Sequence, residues 1–310
     1  MLLPKCKYVV SENRDSFQSN IMELYYWPAE LKWGLPSFDV TSLHAMTFIK
    51  FTKAEVDFKP IKRSWLKKKG SILPCLYTQS GDAYEDTEQI IQYLKLKYHD
   101  PDTWLNADDK LNILPFSALI QDKLLPAVVA LFWLDSSNYT ELTRGMYASK
   151  CQYPLNFSVP QRMHGFNEHN LKVLKGASNE EISTLLENLH NDAQTSLNMF
   201  SEFLGEKDFL FGEKPSSLDA LLFSSIAPLY KIPLPSAKLQ NHLKACPNLC
   251  QYINRILQTF YKEELRSQVS PDAKTDDDEY KYDWVFPVCV AAVAMVSYAA
   301  NAGLLQVTRV

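Results

Sequence analysis

The chain has 310 residues, about twice the ~150 of a usual single domain, so two folded units are expected. Its 46% hydrophobic and 22% charged residues exclude a disordered or collagenous chain. A net charge of −4 gives no reason to expect nucleic acid, and six cysteines without zinc-ligand spacing point to a reducing compartment rather than a disulfide scaffold.

Residues 1–21 read as a loose lead-in. They contain no apolar run after a basic start, and Glu12 and Asp15 oppose an Arg-rich, acid-poor presequence. Met22 to Tyr26 has the character of a short strand. The loop WPAELKWGLPSF follows, punctuated by Gly34 and Pro36. Asp39 to Phe51 has helical spacing, with Val40, Leu43, Phe48 and Phe51 able to share a face. Strands are expected at 56–61 and 72–78, the second carrying Pro74 and therefore an edge strand or a special turn. Ser80-Gly81 is a hairpin-type turn before a short strand at 83–85. Asp86-Thr87 then opens a helix bearing Ile90, Ile91, Leu94 and Tyr98. This β-α-β-β-β-α order describes one small domain over 22–100.

Beyond Pro101 the strand signals fade. Helical patterns are expected at 109–134, 139–150, 179–204, 216–230 and 239–262, an all-α domain over 101–265. The stretch CQYPLNFSVP at 151–160 is expected to be extended, because Pro154 and Pro160 disfavour a helix. An acidic linker follows at 266–283, with Asp276, Asp277, Asp278 and Glu279 in one run. Then 25 residues from Trp284 to Thr308 carry no charge, enough to cross a bilayer. A transmembrane anchor is expected at 284–305, with Trp284 at one interface and Arg309 snorkelling at the other. A buried core helix is the alternative. Placed so late in the chain, such a span would insert after translation and leave the folded domains in the cytosol.

Several stretches match a known plan. Leu73-Pro74 sits where the glutathione-transferase fold keeps a cis-proline, and Asp86-Thr87-Glu88-Gln89-Ile90-Ile91-Gln92-Tyr93-Leu94 resembles the run opening that fold's last N-domain helix. Pro215-Ser216-Ser217-Leu218-Asp219 resembles its helical capping box, with Ser216 as cap and Asp219 reaching back. Trp33-Gly34-Leu35-Pro36-Ser37, Lys123-Leu124-Leu125-Pro126, Phe132-Trp133-Leu134-Asp135, Asn138-Tyr139 and Tyr153-Pro154-Leu155-Asn156-Phe157 narrow the resemblance to the metaxins, in the branch with a C-terminal anchor.

The resemblance implies an α+β, thioredoxin-like N-terminal domain followed by an all-α domain, plus one C-terminal transmembrane helix. It implies a mitochondrial outer-membrane protein facing the cytosol, acting in preprotein import and in the machinery that sorts and inserts β-barrel proteins. The implied partners are a second, unlike metaxin, a β-barrel insertase, the lipid bilayer and, as another role, adaptors to transport motors. No nucleic acid, metal or cofactor is expected.

The residues leave a glutathione site to be weighed. Tyr25, Tyr26 and Ser37 stand where such an enzyme keeps its thiol-activating hydroxyl, and a charge-assisted bond there would favour a thiolate. Leu73 and Pro74 would pair with the peptide. Asp86 and Thr87 would hold glutathione's ends. The competing reading is that these positions are vestigial and that the apolar loop Trp27–Phe38 fills the cleft or presents a docking surface. Trp27 and Trp33, with Lys67, Lys68 and Lys69, are then the candidate partner surface. His164 and His169 lack the neighbours a metal site needs.

Overall fold

Strict alternation starts the sheet. In Met-Glu-Leu-Tyr-Tyr the side chains of Met22, Leu24 and Tyr26 are buried while Glu23 and Tyr25 are half-buried, which makes strand β1, Met22–Tyr26. The structure, a computed structural model, describes residues 21–61, 73–176, 182–269 and 285–301. Strand β2, Val56–Pro60, runs parallel to β1, with Met22 opposite Val56 and Tyr26 opposite Pro60. Strand β3, Cys75–Tyr77, lies antiparallel on the other side of β1 and pairs Tyr25 with Cys75. Strand β4, Ala83–Tyr84, completes the order β2-β1-β3-β4. Within the described part of the expected strand, β3 begins only after Pro74, which carries no N–H for the ladder.

Helix α1, Val40–Thr52, links β1 to β2. Asp39 caps it by accepting the Ser42 N–H at 2.8 Å, and Lys53 closes it in the left-handed region at φ 56°. Helix α2, Thr87–Lys97, ends the first domain with Ile90, Ile91 and Leu94 turned inward.

The second domain opens with a long rod. Helix α3, Ala107–Leu119, passes through a π-helical turn at Ile120–Leu124 into helix α4, Leu125–Trp133. Pro126 explains the turn. It has no N–H to offer the carbonyl of Asp122, so the ladder slips by one residue, and Lys175 donates to that carbonyl at 2.7 Å instead. After a single turn at Ser136–Asn138 and a second π-helical turn at Tyr139–Thr143 comes helix α5, Arg144–Ala148.

Helix α6, Leu155–Leu174, corrects an expectation. Pro154 stands at its N-cap and Pro160 within it, so residues 155–160 are helical and not extended. Pro154 occupies a position where a missing N–H costs little, and Pro160 is buried against the domain. Helix α7, Ile182–Leu204, follows.

Helix α8, Ser217–Lys231, is the domain's axis, with every residue from Leu218 to Leu229 buried. The helix expected at 239–262 is two: α9, Lys238–Lys244, and α10, Pro247–Phe260. Pro247 cannot donate into a continuing helix and instead starts a new one. Helix α11, Lys262–Val269, and helix α12, Val285–Asn301, complete the described elements. Helix α11 runs four residues into the expected linker, taking 266–269; the rest of that linker, 270–283, with the lead-in before Ile21, the Lys67–Lys69 run and the anchor's flanks Trp284 and Arg309, lies outside the described residues.

Candidate functional site

The place to examine is the C-terminal end of β1. Tyr25 ends up beside Cys75, so the cis Leu73–Pro74 peptide stands at that end, and the Trp27–Phe38 loop leaves from it. The start of α1 and the start of α2 are the neighbouring helix N-termini on which a thiol site would draw.

Two of the three candidate hydroxyls have partners within the chain. Ser37 is fully buried, donates its Oγ hydrogen to the Trp27 carbonyl at 2.6 Å and accepts the Asp39 N–H at 3.1 Å. It therefore ties down its own loop. Tyr25 donates to Glu23 at 3.1 Å, and burial together with that carboxylate pushes its phenol up to about 12. Tyr26 is buried, and desolvation pushes it up to about 12 as well. A group that stabilises a thiolate needs a donor free to face it, and a carboxylate beside Tyr25 works against an anion.

The loop's aromatic rings pack inward. Trp27 and Trp33 are 4% and 6% exposed, so both rings pack inside the chain and are not on its surface. Trp27 meets Tyr147 edge-on with ring centres 5.1 Å apart, and Phe38 meets the same ring at 4.7 Å. Trp133 also packs on Tyr147 at 4.9 Å, and Tyr139 stacks on His164 at 4.4 Å. An apolar loop with two tryptophans folds inward because exposing those rings to water is the costlier choice. The Tyr147 hydroxyl, buried with its ring, donates to Asp39 Oδ1 at 2.9 Å.

The remaining positions are scattered in role. Leu73 is buried, Asp86 is exposed and caps α2 through the Glu88 N–H at 3.4 Å, and Thr87 is half-buried as that helix's first residue. Lys32, the loop's basic residue, is exposed and pairs with Glu30 at 2.7 Å. His164 directs Nδ1 to the Trp133 carbonyl at 2.7 Å. Among the described residues no cluster of His, Cys, Asp or Glu is arranged to hold a metal.

The two domains are held together by polar contacts as well as by this aromatic core. Buried Asp102 accepts the Ser217 N–H at 2.7 Å and the Ser217 hydroxyl at 2.6 Å, and pairs with Lys95 at 3.0 Å. Tyr261 meets Thr47 at 2.8 Å between their hydroxyls, and Glu264 pairs with Lys50. At the start of α8, Ser216 and Asp219 form a reciprocal capping box, and Asp219 also accepts the Leu210 N–H at 2.9 Å and the Tyr252 hydroxyl at 3.1 Å. Burial raises the Asp219 carboxyl, against the pull of those donors.

Sequence reasoning missed Asp39, Tyr147 and Asp102. Asp39 carries a readable signal, an acid just before a periodic run. Tyr147 and Asp102 act on residues more than a hundred positions away, which no local pattern announces.

Residues 42–164 match the family described as outer mitochondrial membrane transport complex protein, and residues 193–256 match the glutathione S-transferase C-terminal domain. The chain is 35% identical to metaxin-1 of Mus musculus, over 93% of this chain and 92% of that one. It is 35% identical to metaxin-3 of Danio rerio over 82% of each. Among solved structures, a β-etherase from Sphingobium sp. strain SYK-6 superposes with a TM-score of 0.52 at 15% identity, covering 78% of this chain and 99% of its own. That last likeness concerns the fold alone: a thioredoxin-like mixed sheet followed by a helical domain.

Proposed function

The chain belongs to the metaxin family, and on that premise we propose that it is a non-enzymatic subunit of the mitochondrial outer-membrane machinery that imports, sorts and inserts proteins. One observation carries the non-enzymatic part. The Ser37 hydroxyl, a candidate thiol activator, is given to the Trp27 carbonyl, and Trp27 and Phe38 of the same loop pack on Tyr147, which supports a site no longer used for thiol chemistry. What the fold then offers is a rigid pair of domains whose outer surfaces are free for partners. The partners in this reading are a second, unlike metaxin and a β-barrel insertase.

Helix α12 is the bilayer anchor in this reading. It contains no charged residue, and Val288, Val293, Met295, Val296 and Tyr298 are 52–73% exposed to solvent, a surface that water disfavours and lipid accepts. Its 17 residues rise about 26 Å at 1.5 Å each, just under the hydrocarbon core. The rod Ala107–Trp133 is also long and apolar enough to cross a membrane. Its second half is a core element instead, with Ala127, Val128, Ala130 and Leu131 buried in the helical domain.

The test is purification of the tagged full-length chain from mildly solubilised mitochondria. The second metaxin and the insertase are expected to travel with it. A chain recovered only as a free monomer overturns the subunit role. Calorimetry with millimolar glutathione is expected to give no heat of binding. Saturable heat that weakens in Asp86→Ala would restore the enzyme.

A further inference from the structure

We infer that the exposed face of α3, Ala107–Leu119, is the docking site for a basic amphipathic helix of a partner protein. None of this helix's residues is fully buried. Phe116 and Leu119 lean on the core, and the rest of the helix stands on the surface.

Its outward face is not polar. Leu111 and Leu114 are 74% and 77% exposed, and Ala107 and Ala118 are exposed on either side of them. The spacing 107, 111, 114, 118 is i, i+4, i+7, i+11, which puts all four within an arc of about 60° on one helix face. A seam of that kind is what one helix offers to another. Helix propensity does not require it, since polar helix formers would serve equally well on a solvated face.

Charge decides what covers the seam. Asp108 stands exposed at its first turn and Asp122 stands exposed just past its end. Lys110 lies on one flank, and Lys123 is drawn away to Asp192 at 3.4 Å. A second copy laid antiparallel would bring Asp108 of each chain toward Asp122 of the other. Laid parallel, it would put each aspartate against its own equivalent. Both arrangements oppose like charges, which disfavours self-pairing. A helix with an apolar stripe of the same spacing and Lys or Arg at both ends of the stripe meets leucine with leucine and each carboxylate with a cation.

The experiment uses the full-length chain in lipid nanodiscs and two labelled peptides of about 18 residues, each with leucines at i, i+4, i+7 and i+11. One carries arginines around the stripe and the other glutamates. Fluorescence anisotropy is expected to show saturable binding of the arginine peptide only. Leu114→Lys is expected to weaken it at least about tenfold, and Asp108→Lys with Asp122→Lys to weaken it several-fold and flatten its salt dependence. Both substitution sets lie on exposed positions, and unchanged thermal unfolding will show that the fold is intact. Equal binding of the two peptides, or binding indifferent to Leu114→Lys, overturns the assignment. So does a homodimer that Leu114→Lys dissociates, because a second copy would then own the face.

Discussion

The Tyr147 hydroxyl donates to Asp39 Oδ1 across 2.9 Å, joining the residue that caps α1 to a ring from the helical domain 108 positions later. Asp39 is already committed at Oδ2, which accepts the Ser42 N–H at 2.8 Å and the Thr41 hydroxyl at 2.6 Å. One carboxylate thus starts a helix and fastens the first domain to the second.

Tyr147→Phe is expected to cost about 1.5–3 kcal/mol, the range for a hydrogen bond to a charged acceptor that loses its donor. Asp39→Ala is expected to cost more, since an N-cap worth about 0.5–2 kcal/mol goes with it. Chemical denaturation of both single variants and the double variant measures the coupling, which is expected to be at least about 0.5 kcal/mol. A coupling of zero would mean the two groups do not act on each other.

Burial of Trp27 separates a plug from a docking surface. Trp27→Ala is expected to lower stability by about 3–5 kcal/mol, as for other large-to-small changes in a packed core. Leu31→Ala, in the same loop but 54% exposed, is expected to stay within about 0.5 kcal/mol of the parent. Thermal melts of the two variants side by side decide the matter, and equal small effects would return Trp27 to the surface.

Asp102 is the polar hinge pin between the domains. Asp102→Ala strips Ser217 of its cap partner and leaves Lys95 without this carboxylate. The expected loss is about 2–4 kcal/mol, below the full cost of breaking a buried pair because the Lys95 side chain is 35% exposed. Limited proteolysis is expected to cut near the domain junction in this variant and not in the parent.

Acid is expected to act through His44, on α1. Burial lowers its imidazole to about 4 in the folded chain, while the unfolded chain titrates near 6.5. The unfolded state therefore binds the proton first, so this contribution is complete above about pH 6.5 and is lost as pH falls toward 4. Melting temperatures of the parent and of His44→Gln between those values test it. The parent is expected to lose more stability on acidification than the variant, and parallel curves would remove His44 from the account. Alkali works in the opposite sense through Tyr25 and Tyr26, held near 12, whose stabilisation fades as pH rises above about 10.

Much of the architecture was legible because it is written in short-range patterns. The alternation in Met22–Tyr26, the acid-threonine start at Asp86-Thr87 and the Ser216-to-Asp219 box each specify a local backbone outcome, and each takes its form in the structure. Local reading failed at the prolines. Pro160 looked like a helix breaker and lies inside α6, while Pro247, inside an apparently unbroken period, starts a new helix. A proline's effect depends on whether the carbonyl it leaves unbonded finds another donor, as Asp122 finds Lys175.

The sequence by itself determined the order of strands and helices in the first domain, the starts of α1, α2 and α8, and the change from a mixed sheet to a helical second part. Those follow from periodicity and capping, which act within a few residues. Only the tertiary structure decided that Trp27 and Trp33 turn inward, that Tyr147 closes over Asp39, and that Leu111 and Leu114 are left outside. An aromatic or leucine side chain has the same composition whether it fills a cleft or faces water. Which it does depends on what the rest of the chain brings against it, and in this fold the Tyr147 ring that meets Trp27 comes from the far domain.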